Sequence, residues 1–302
     1  QSTNKLRSIL NNTTVGIISP GDMGHAVGAQ LINNNVNVIT ALEGRSERTK
    51  SLAKYAKIQD VGTFTNLVKD SDLIISILVP SQAIPFAKTI SDSIKSLDKS
   101  IYFADCNAIA PQTTKKISEY FQDTSAIFID GGIIGGPPTE NYQPVFYTSG
   151  PDTTPLDSLN GKGIRVTNIG SEIGQASAIK MCYAGMTKGT IALNISVLST
   201  AKILGVYDSL IAEFSKSQSE MLKRMKGMSE VHTKSNRWIG EMLEISSTFE
   251  SANLSGMFHK AAADTYDFVS KTEIALNETP ENYKEDRSLE ELIDIFSKYL
   301  QE

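Results

Sequence analysis

Cysteine is scarce in this chain: two in 302 residues, Cys106 and Cys182, far apart and with no C-x-x-C pair. That excludes a disulfide scaffold and argues against a zinc site, and it fits a reducing compartment. Three histidines, His25, His232 and His259, show no metal-ligand spacing, so no metal site is expected and all three are read as structural. Positive charge is not in excess. With 29 Lys and Arg against 34 Asp and Glu, the net charge of −5 offers no general attraction to nucleic acid or to an anionic membrane. No apolar run exceeds the length of a strand, so no membrane span is expected. The polar opening QSTNKLRSILNN lacks a signal-peptide pattern, which leaves the cytoplasm as the expected location by elimination. Internal repeats and low-complexity tracts are also missing.

What remains is ordinary for a globular protein, 40% hydrophobic and 21% charged, with room for about two domains or one large one. The organising stretch is Thr14–Gly28, TVGIISPGDMGHAVG. Val15 to Ser19 suits a buried parallel strand, a turn follows at Pro20-Gly21, and Met23 to about Asn33 has helical spacing. Such a turn aims unpaired backbone N–H groups and the positive end of a helix at one point, which suits a diphosphate. In the fingerprint G-x-G-x-x-G, Ser19 stands at the first glycine, and Gly21 and Gly24 at the second and third.

Alternation of strand and helix continues from there. Strands are expected at Val36–Ala41, Val61–Phe64, Asp72–Val79, Ile101–Ala104 and Ala126–Ile129. Helices are expected at Thr49–Ala56, Gln82–Ile94 and Pro111–Phe121. The run DLIISILV at Asp72–Val79 reads as a strand covered on both faces, and Pro80 stops it. Gly131–Pro138 reads as a loop, and Pro144–Thr148 and Ile164–Thr167 as short strands. Beyond Gly170 strand signals end. A long helix over Gln175–Leu204 is followed by helices at about Ser209–Met225, Glu230–Ser247, Ser255–Lys271 and Leu289–Leu300. The expected architecture is a doubly wound α/β sheet domain of Rossmann type, residues 1–169, followed by an all-α domain, residues 170–302. The long helix spans about 45 Å and needs cover along its length, so a homodimer is expected, with its cleft closed partly by the second subunit's helical domain.

A second stretch, GSEIGQASAIKMCYAGMTKG at Gly170–Gly189, sets Lys180 in mid-helix among Ala176, Ser177, Ala178, Ala184 and Gly185. Small neighbours leave room beside the lysine stem for another group, although a lysine snorkelling to water is the bland alternative. Tyr183 lies on about the same helix face and is read either as a substrate contact or as packing. Trp238 and Glu241 stay undecided between pocket and core. Lys223, Arg224 and Lys226 read as a solvated basic face.

The two stretches together resemble the 6-phosphogluconate dehydrogenase-like, or β-hydroxyacid dehydrogenase, superfamily. Its G-L-G-x-M-G motif matches Ser19-Pro20-Gly21-Asp22-Met23-Gly24, and its N-R-T/S resembles Gly44-Arg45-Ser46. Its D-x-S-T-x-x-P resembles Asp105 to Pro111, and its D-A-P-V-S-G-G is similar to Asp130 to Gly136. The catalytic-helix motif G-x-G-x-x-x-K-x-x-x-N matches Gly174 to Lys180, with Ala184 in place of the asparagine. The chain is most similar to a branch in which the same NAD-binding domain precedes a helical domain of unknown function, at IIGGPP, KMCYAGMTKG and RWIGEM (Arg237–Met242).

The resemblance implies a Rossmann domain, a long interdomain helix and hydride transfer to or from a nicotinamide cofactor. Lys180 is then the general acid and base. Ser19, Pro20, Gly21, Asp22, Met23, Arg45, Ser46, Val79, Pro80 and Asn107 bind the cofactor, and Asn107, Gly135, Gly136 and Tyr183 bind substrate. Three residues that grip a hydroxyacid in the parent family are replaced here by Ala108, Ile134 and Ala184, which puts a small carboxylate substrate in doubt. Two residues oppose each other over the cofactor. Glu43 suits the ribose hydroxyl of NAD, whereas Arg45 and Ser46 suit the 2′-phosphate of NADP. NADP is favoured over NAD, with Glu43 turned to solvent or paired with Arg48. The leading expectation is an NADP-dependent oxidoreductase acting on a small alcohol or ketone. An imine reductase and a non-catalytic NADP(H)-binding sensor are the alternatives.

Overall fold

The structure, a computed structural model, describes residues 13–302; the polar Gln1–Asn12 stretch lies outside them. Two compact units divide the chain at Met181 and Cys182. In the first, β1 (Thr14–Ile18) leads into α1 (Asp22–Asn33), and β2 (Asn37–Thr40) into α2 (Glu47–Tyr55). Then β3 (Gln59–Asp60), α3 (Phe64–Asp70), β4 (Leu73–Ser76), α4 (Pro80–Leu97), β5 (Ile101–Asp105) and α5 (Pro111–Glu119) keep up the alternation. Closing the sheet are β6 (Ala126–Ile134), β7 (Val145–Ser149), the short α6 (Thr154–Asp157) and β8 (Arg165–Gly170).

The eight strands lie in the order β3-β2-β1-β4-β5-β6-β7-β8. All pairs are parallel except β6 with β7. The order reverses between β1 and β4, and open α/β sheets bind ligands at the carboxyl ends of strands at such a point. Continuous apolar runs are what two covered faces require. Ile17 and Ile75 enter one core cluster with Val27 and Leu31 of α1, while Ile18 and Ile74 enter the other with Ile90 of α4 and Phe103.

Several expected boundaries move, for physical reasons. The segment Val61–Phe64 is not a strand. Gly62 takes φ +85°, and Thr63 caps α3 by accepting from the Asn66 amide, so the strand is Gln59–Asp60, paired with β2. Gly131–Ile134 is not a loop but the end of β6, paired antiparallel with β7 in the register Ile134–Val145. Glycine is needed there for close approach. A Cβ at Gly131 would sit 2.4 Å from Cys106 Sγ, and one at Gly132 would sit 2.3 Å from the Ala176 carbonyl oxygen.

The helix α7 runs over Gln175–Ile203. Its first turns pack on the sheet, so the units part inside the helix rather than near Ile169. The second unit continues with α8 (Tyr207–Ser217), α9 (Ser219–Met225), a 3₁₀ turn at Lys226–Met228, α10 (Val231–Ser251), α11 (Met257–Ser270), α12 (Glu273–Asn277) and α13 (Leu289–Gln301). The single helix expected over Ser209–Met225 breaks at Gln218, whose φ −144° and ψ 49° are not helical. Met225 is buried and Lys223, Arg224 and Lys226 face outward, as a solvated basic face requires. A capping box starts α13, with Ser288 and Glu291 each accepting the other's backbone N–H. Within this unit His232 is buried and bonds Glu278 at 2.8 Å, and Glu278 pairs with Arg287, a brace that gives this histidine a structural role. No helix of the described residues is long and apolar enough to cross a membrane.

Candidate active site in the sheet unit

The turn after β1 begins with Ser19 in the left-handed region, φ +59°, where glycine would rest without cost. Pro20 is buried, and Gly21 is the N-cap of α1 with no side chain closing the helix end. A Cβ at Gly21 would meet nothing within 4 Å, so the space in front of the first amides is open. Gly24 and Gly28 serve packing instead. Their Cβ atoms would lie 2.7 Å from the Ser19 carbonyl oxygen and 2.5 Å from Ile58, so α1 lies close on the sheet. Met23 packs against the same core. The helix ends behind Val79-Pro80 and Ala110-Pro111 likewise have proline at N1 and no side-chain cap. Three uncapped helix N-termini at the carboxyl edge of the sheet fit a bound dinucleotide.

Charge around this turn is arranged in pairs. Asp22 would repel a phosphate from the first turn of α1, but Arg48 pairs with it at 2.5 Å. Arg45 Nη2 donates to Ser19 Oγ at 2.8 Å, and its guanidinium lies over the Phe86 ring at 5.3 Å. Its Nε is buried without a partner, and burial lowers its pKa. A guanidinium held beside the glycine turn is chemistry suited to a phosphate. Ser46 is occupied otherwise, capping α2 by accepting from the Thr49 amide. Glu43 is exposed, as one of its two expected settings requires. Its carboxylate accepts from the Phe64 amide at 2.6 Å, at the start of α3. His25 donates from Nδ1 to the Gly21 carbonyl at 2.7 Å, a local structural bond.

A second group of residues fixes Lys180. Asp130, at the carboxyl half of β6, accepts from the Gly174 amide at 2.7 Å, the Ser177 amide at 3.1 Å and the Ser177 hydroxyl at 2.5 Å. Ser149 of β7 donates to the same carboxylate and accepts from the Ala176 amide. The N-terminus of α7 is thus capped by the sheet, where a negative charge is favoured by the helix dipole. Burial raises the Asp130 pKa while the bonds from Ser177, Gly174 and Ser149 hold it down. One turn further, the Lys180 ammonium donates to the Ile133 carbonyl at 2.5 Å, and its Cβ is what a side chain at Gly132 would meet at 3.1 Å. Lysine, β6 and the helix start therefore form one block. The sequence pointed to Lys180 but not to Asp130 or Ser177, because a cap 44 and 47 residues away leaves no local signal.

The loop after β5 is tightly held. Asn107 is buried, and its amide is spent on both sides, accepting from the Leu78 amide at 2.6 Å and donating to Ser76 Oγ at 3.1 Å. Its side chain joins the segments that follow β4 and β5. Beside it Asp105 is buried, with Oδ1 accepting from the Asn107 amide and Oδ2 unpartnered. Burial pushes its pKa up to about 7, with Asp130 across the register adding to the rise. Cys106 is buried as well and its thiol is pushed far up, mainly by burial. Gly135 and Gly136 are exposed after β6, with Gly135 at φ +122° and the Gly136 amide donating to the Tyr142 hydroxyl.

In the helical unit, Tyr183 is 51% exposed and not a core residue. Trp238 meets Tyr266 edge-on at 5.1 Å, with the Lys188 ammonium over its ring at 5.2 Å. Lys188 pairs with buried Glu241, and Arg237 approaches Glu241 at 3.4 Å. This part of RWIGEM is a packed ion-pair and aromatic cluster.

Residues 14–156 match the family described as the NAD-binding domain of 6-phosphogluconate dehydrogenase, and residues 201–269 match DUF1932, a domain of unknown function. An uncharacterized 28.5 kDa protein from the 7S RNA 5′ region of Methanothermus fervidus is 29% identical over 236 residues, 78% of this chain and 86% of that one. Among solved structures, a conserved protein of unknown function described as structurally similar to 3-hydroxyacid dehydrogenases superposes with a TM-score of 0.64 at 23% identity, over 85% of this chain and 97% of that one. Mycobacterium tuberculosis 3-hydroxyisobutyrate dehydrogenase with L-serine superposes with a TM-score of 0.64 at 14% identity, over 94% of this chain and 98% of that one. At such identities the likeness is one of fold.

Proposed function

We propose, from the match of residues 14–156 to the NAD-binding domain of 6-phosphogluconate dehydrogenase and of residues 201–269 to DUF1932, that this protein is an NAD(P)-binding oxidoreductase that exchanges hydride between NADP(H) and a small alcohol or ketone, with Lys180 as proton donor and acceptor. The observation that carries the reading is the Lys180 ammonium, held on the Ile133 carbonyl by a helix whose start is capped from the sheet. A fixed ammonium at the end of β6 has the preorganisation that proton transfer needs.

When bound, the nicotinamide supplies hydride exchange at the substrate carbon. The protein's own work is positional. Gly21 and the uncapped amides of α1 would receive the diphosphate, and the Arg45 guanidinium would receive the 2′-phosphate. The bond of Glu43 to the Phe64 amide gives that carboxylate a partner in the chain, which supports NADP. In the oxidative direction neutral Lys180 takes the hydroxyl proton as the carbonyl forms, and in the reductive direction the ammonium returns it. Ile134, Ala108 and Ala184 offer no polar grip, so the substrate is expected to lack a firmly held carboxylate.

The test is a screen of ketones, hydroxyacids, amino acids and imines followed by NADPH absorbance, repeated with Lys180→Ala. Turnover of one class, lost in the variant while NADPH still binds, is the expected result. Turnover of imines alone would move the reading to an imine reductase. NADPH binding with no turnover of any class would favour a sensor and sink the proposal.

A further inference from the structure

The loop between β2 and α2, which carries Arg45, is fastened to the two helices that follow α2. Glu43 accepts from the Phe64 amide at 2.6 Å at the start of α3, and the Arg45 guanidinium lies over the Phe86 ring of α4 at 5.3 Å. The two anchors touch each other, for Phe64 and Phe86 meet edge to face with centroids 5.3 Å apart. We propose that Phe86 is a positioning residue for cofactor choice, its ring holding the Arg45 guanidinium where the 2′-phosphate of NADP is received. This rests on the reading of Arg45 given above and adds to it the residue through which the arginine becomes selective.

The helix explains why a ring is available there. It buries Ala83, Ala87, Ile90 and Ile94, which share one face, and Phe86 stands at the edge of that face. Its ring is therefore half-buried, packed against the core beside Phe64 and presented to the loop on its other side. An aromatic face attracts a guanidinium through the ring quadrupole and through planar stacking.

The remaining contacts of Arg45 leave it ready for an anion. One Nη2 hydrogen goes to Ser19 Oγ at 2.8 Å, and Nε is buried. Among the described residues no acceptor meets Nη1. The carboxylates nearest in sequence are engaged elsewhere, Asp22 with Arg48 and Glu43 with the Phe64 amide. An arginine already seated on Phe86 and Ser19 loses less side-chain freedom when a phosphate arrives, so more of the charged bond appears as affinity. A cofactor without the 2′-phosphate gains nothing from this seat.

Calorimetric titration of the full chain with NADPH and with NADH reads the two affinities without turnover. Wild type should bind NADPH at least about tenfold more tightly. Phe86→Leu and Phe86→Met, both lacking the ring, should weaken NADPH about fivefold and NADH by less than about twofold, the scale of a partly desolvated cation–π contact. Phe86→Tyr, which keeps the ring, should match wild type. In an Arg45→Ala background the loss of the ring should change neither affinity further, because no guanidinium is left to hold. A wild type that binds both cofactors equally, or neither, sinks the reading of Arg45 and this inference with it. With the wild-type preference in place, an unchanged preference in the ring-free variants overturns the inference alone. So does an equal loss of both cofactors, a Phe86→Tyr that behaves like Phe86→Leu, or an effect that persists in Arg45→Ala, each of which would make Phe86 a packing residue of α4.

Discussion

Replacing Asp105 by asparagine should make the sheet unit more stable at neutral and alkaline pH and remove one source of its pH dependence. The carboxyl is 1% exposed, and only Oδ1 has a partner, the Asn107 amide at 3.0 Å. Burial, with Asp130 alongside, raises its pKa from 3.8 to about 7. A group whose pKa is higher folded than unfolded lends stability that is fully present below the unfolded value. That stability is lost as pH rises through the folded one. The window here runs from about pH 4 to about pH 7, and its full depth is about 4 kcal/mol at 1.36 kcal/mol per pKa unit.

Asparagine keeps the acceptor for Asn107 and cannot ionise. Its amide nitrogen, however, would stand where Oδ2 has no partner, which returns about 1–3 kcal/mol of the gain. The net expectation at pH 8 is a stabilisation of about 1–3 kcal/mol, or several degrees of melting temperature for a unit this size. At pH 4.5 the variant should equal the wild type or fall slightly below it. Urea unfolding at pH 4.5, 6, 7 and 8, followed by far-UV circular dichroism, measures the difference directly. A variant equally destabilised at every pH would show that Asp105 is not a strained acid and would refute the reasoning.

Other expectations concern catalysis, cofactor choice, packing and assembly. Lys180→Ala should lower kcat about a hundredfold or more with little change in NADPH affinity; a merely packed lysine would instead cost stability and leave turnover per folded molecule intact. Arg45→Ala should raise the KM for NADPH about tenfold or more and leave NADH nearly unchanged, and equal losses for both would refute the assignment of the 2′-phosphate to this side chain. Gly132→Ala should destabilise the sheet unit by at least about 2 kcal/mol in thermal unfolding, since its Cβ would meet the Ala176 carbonyl and α7 would have to shift. Met186 and Leu193 are 72% and 62% exposed along α7 and Leu204 just beyond its end is 69% exposed, an apolar stripe suited to a second copy of the chain, so light scattering at micromolar concentration should report a dimer and a monomer would count against it.

The parts of the fold that local chemistry determines were legible in the sequence. Runs such as Leu73–Ser76 are buried throughout, and a strand covered on both faces has no other way to be written. The helix over Gln175–Ile203 carried its own spacing to within a residue. Pairings across long sequence distances were not legible. Gly131 and Gly132 read as a turn, since glycine usually marks one, yet they extend β6 because Cys106 and α7 press on positions where a Cβ cannot fit. Glu43 accepts from the Phe64 amide and Arg48 pairs with Asp22, partners 21 and 26 residues distant that no local pattern announces. The bonds of Asn107 to Leu78 and Ser76, 29 and 31 residues away, likewise left no local signal.

Ser19 shows why a motif departure is only half readable without the fold. From sequence it counts as a cost, because φ +59° disfavours any residue with a Cβ by about 1–2 kcal/mol relative to glycine. The structure adds the other side. Its hydroxyl accepts from the Arg45 guanidinium, and a hydrogen bond to a charged donor contributes about 1.5–3 kcal/mol, enough to offset the backbone term. A glycine at this position would relax the turn and release Arg45 together. The serine therefore belongs to the arginine as much as to the glycine turn, and the two positions form one device spanning the first and second βα units.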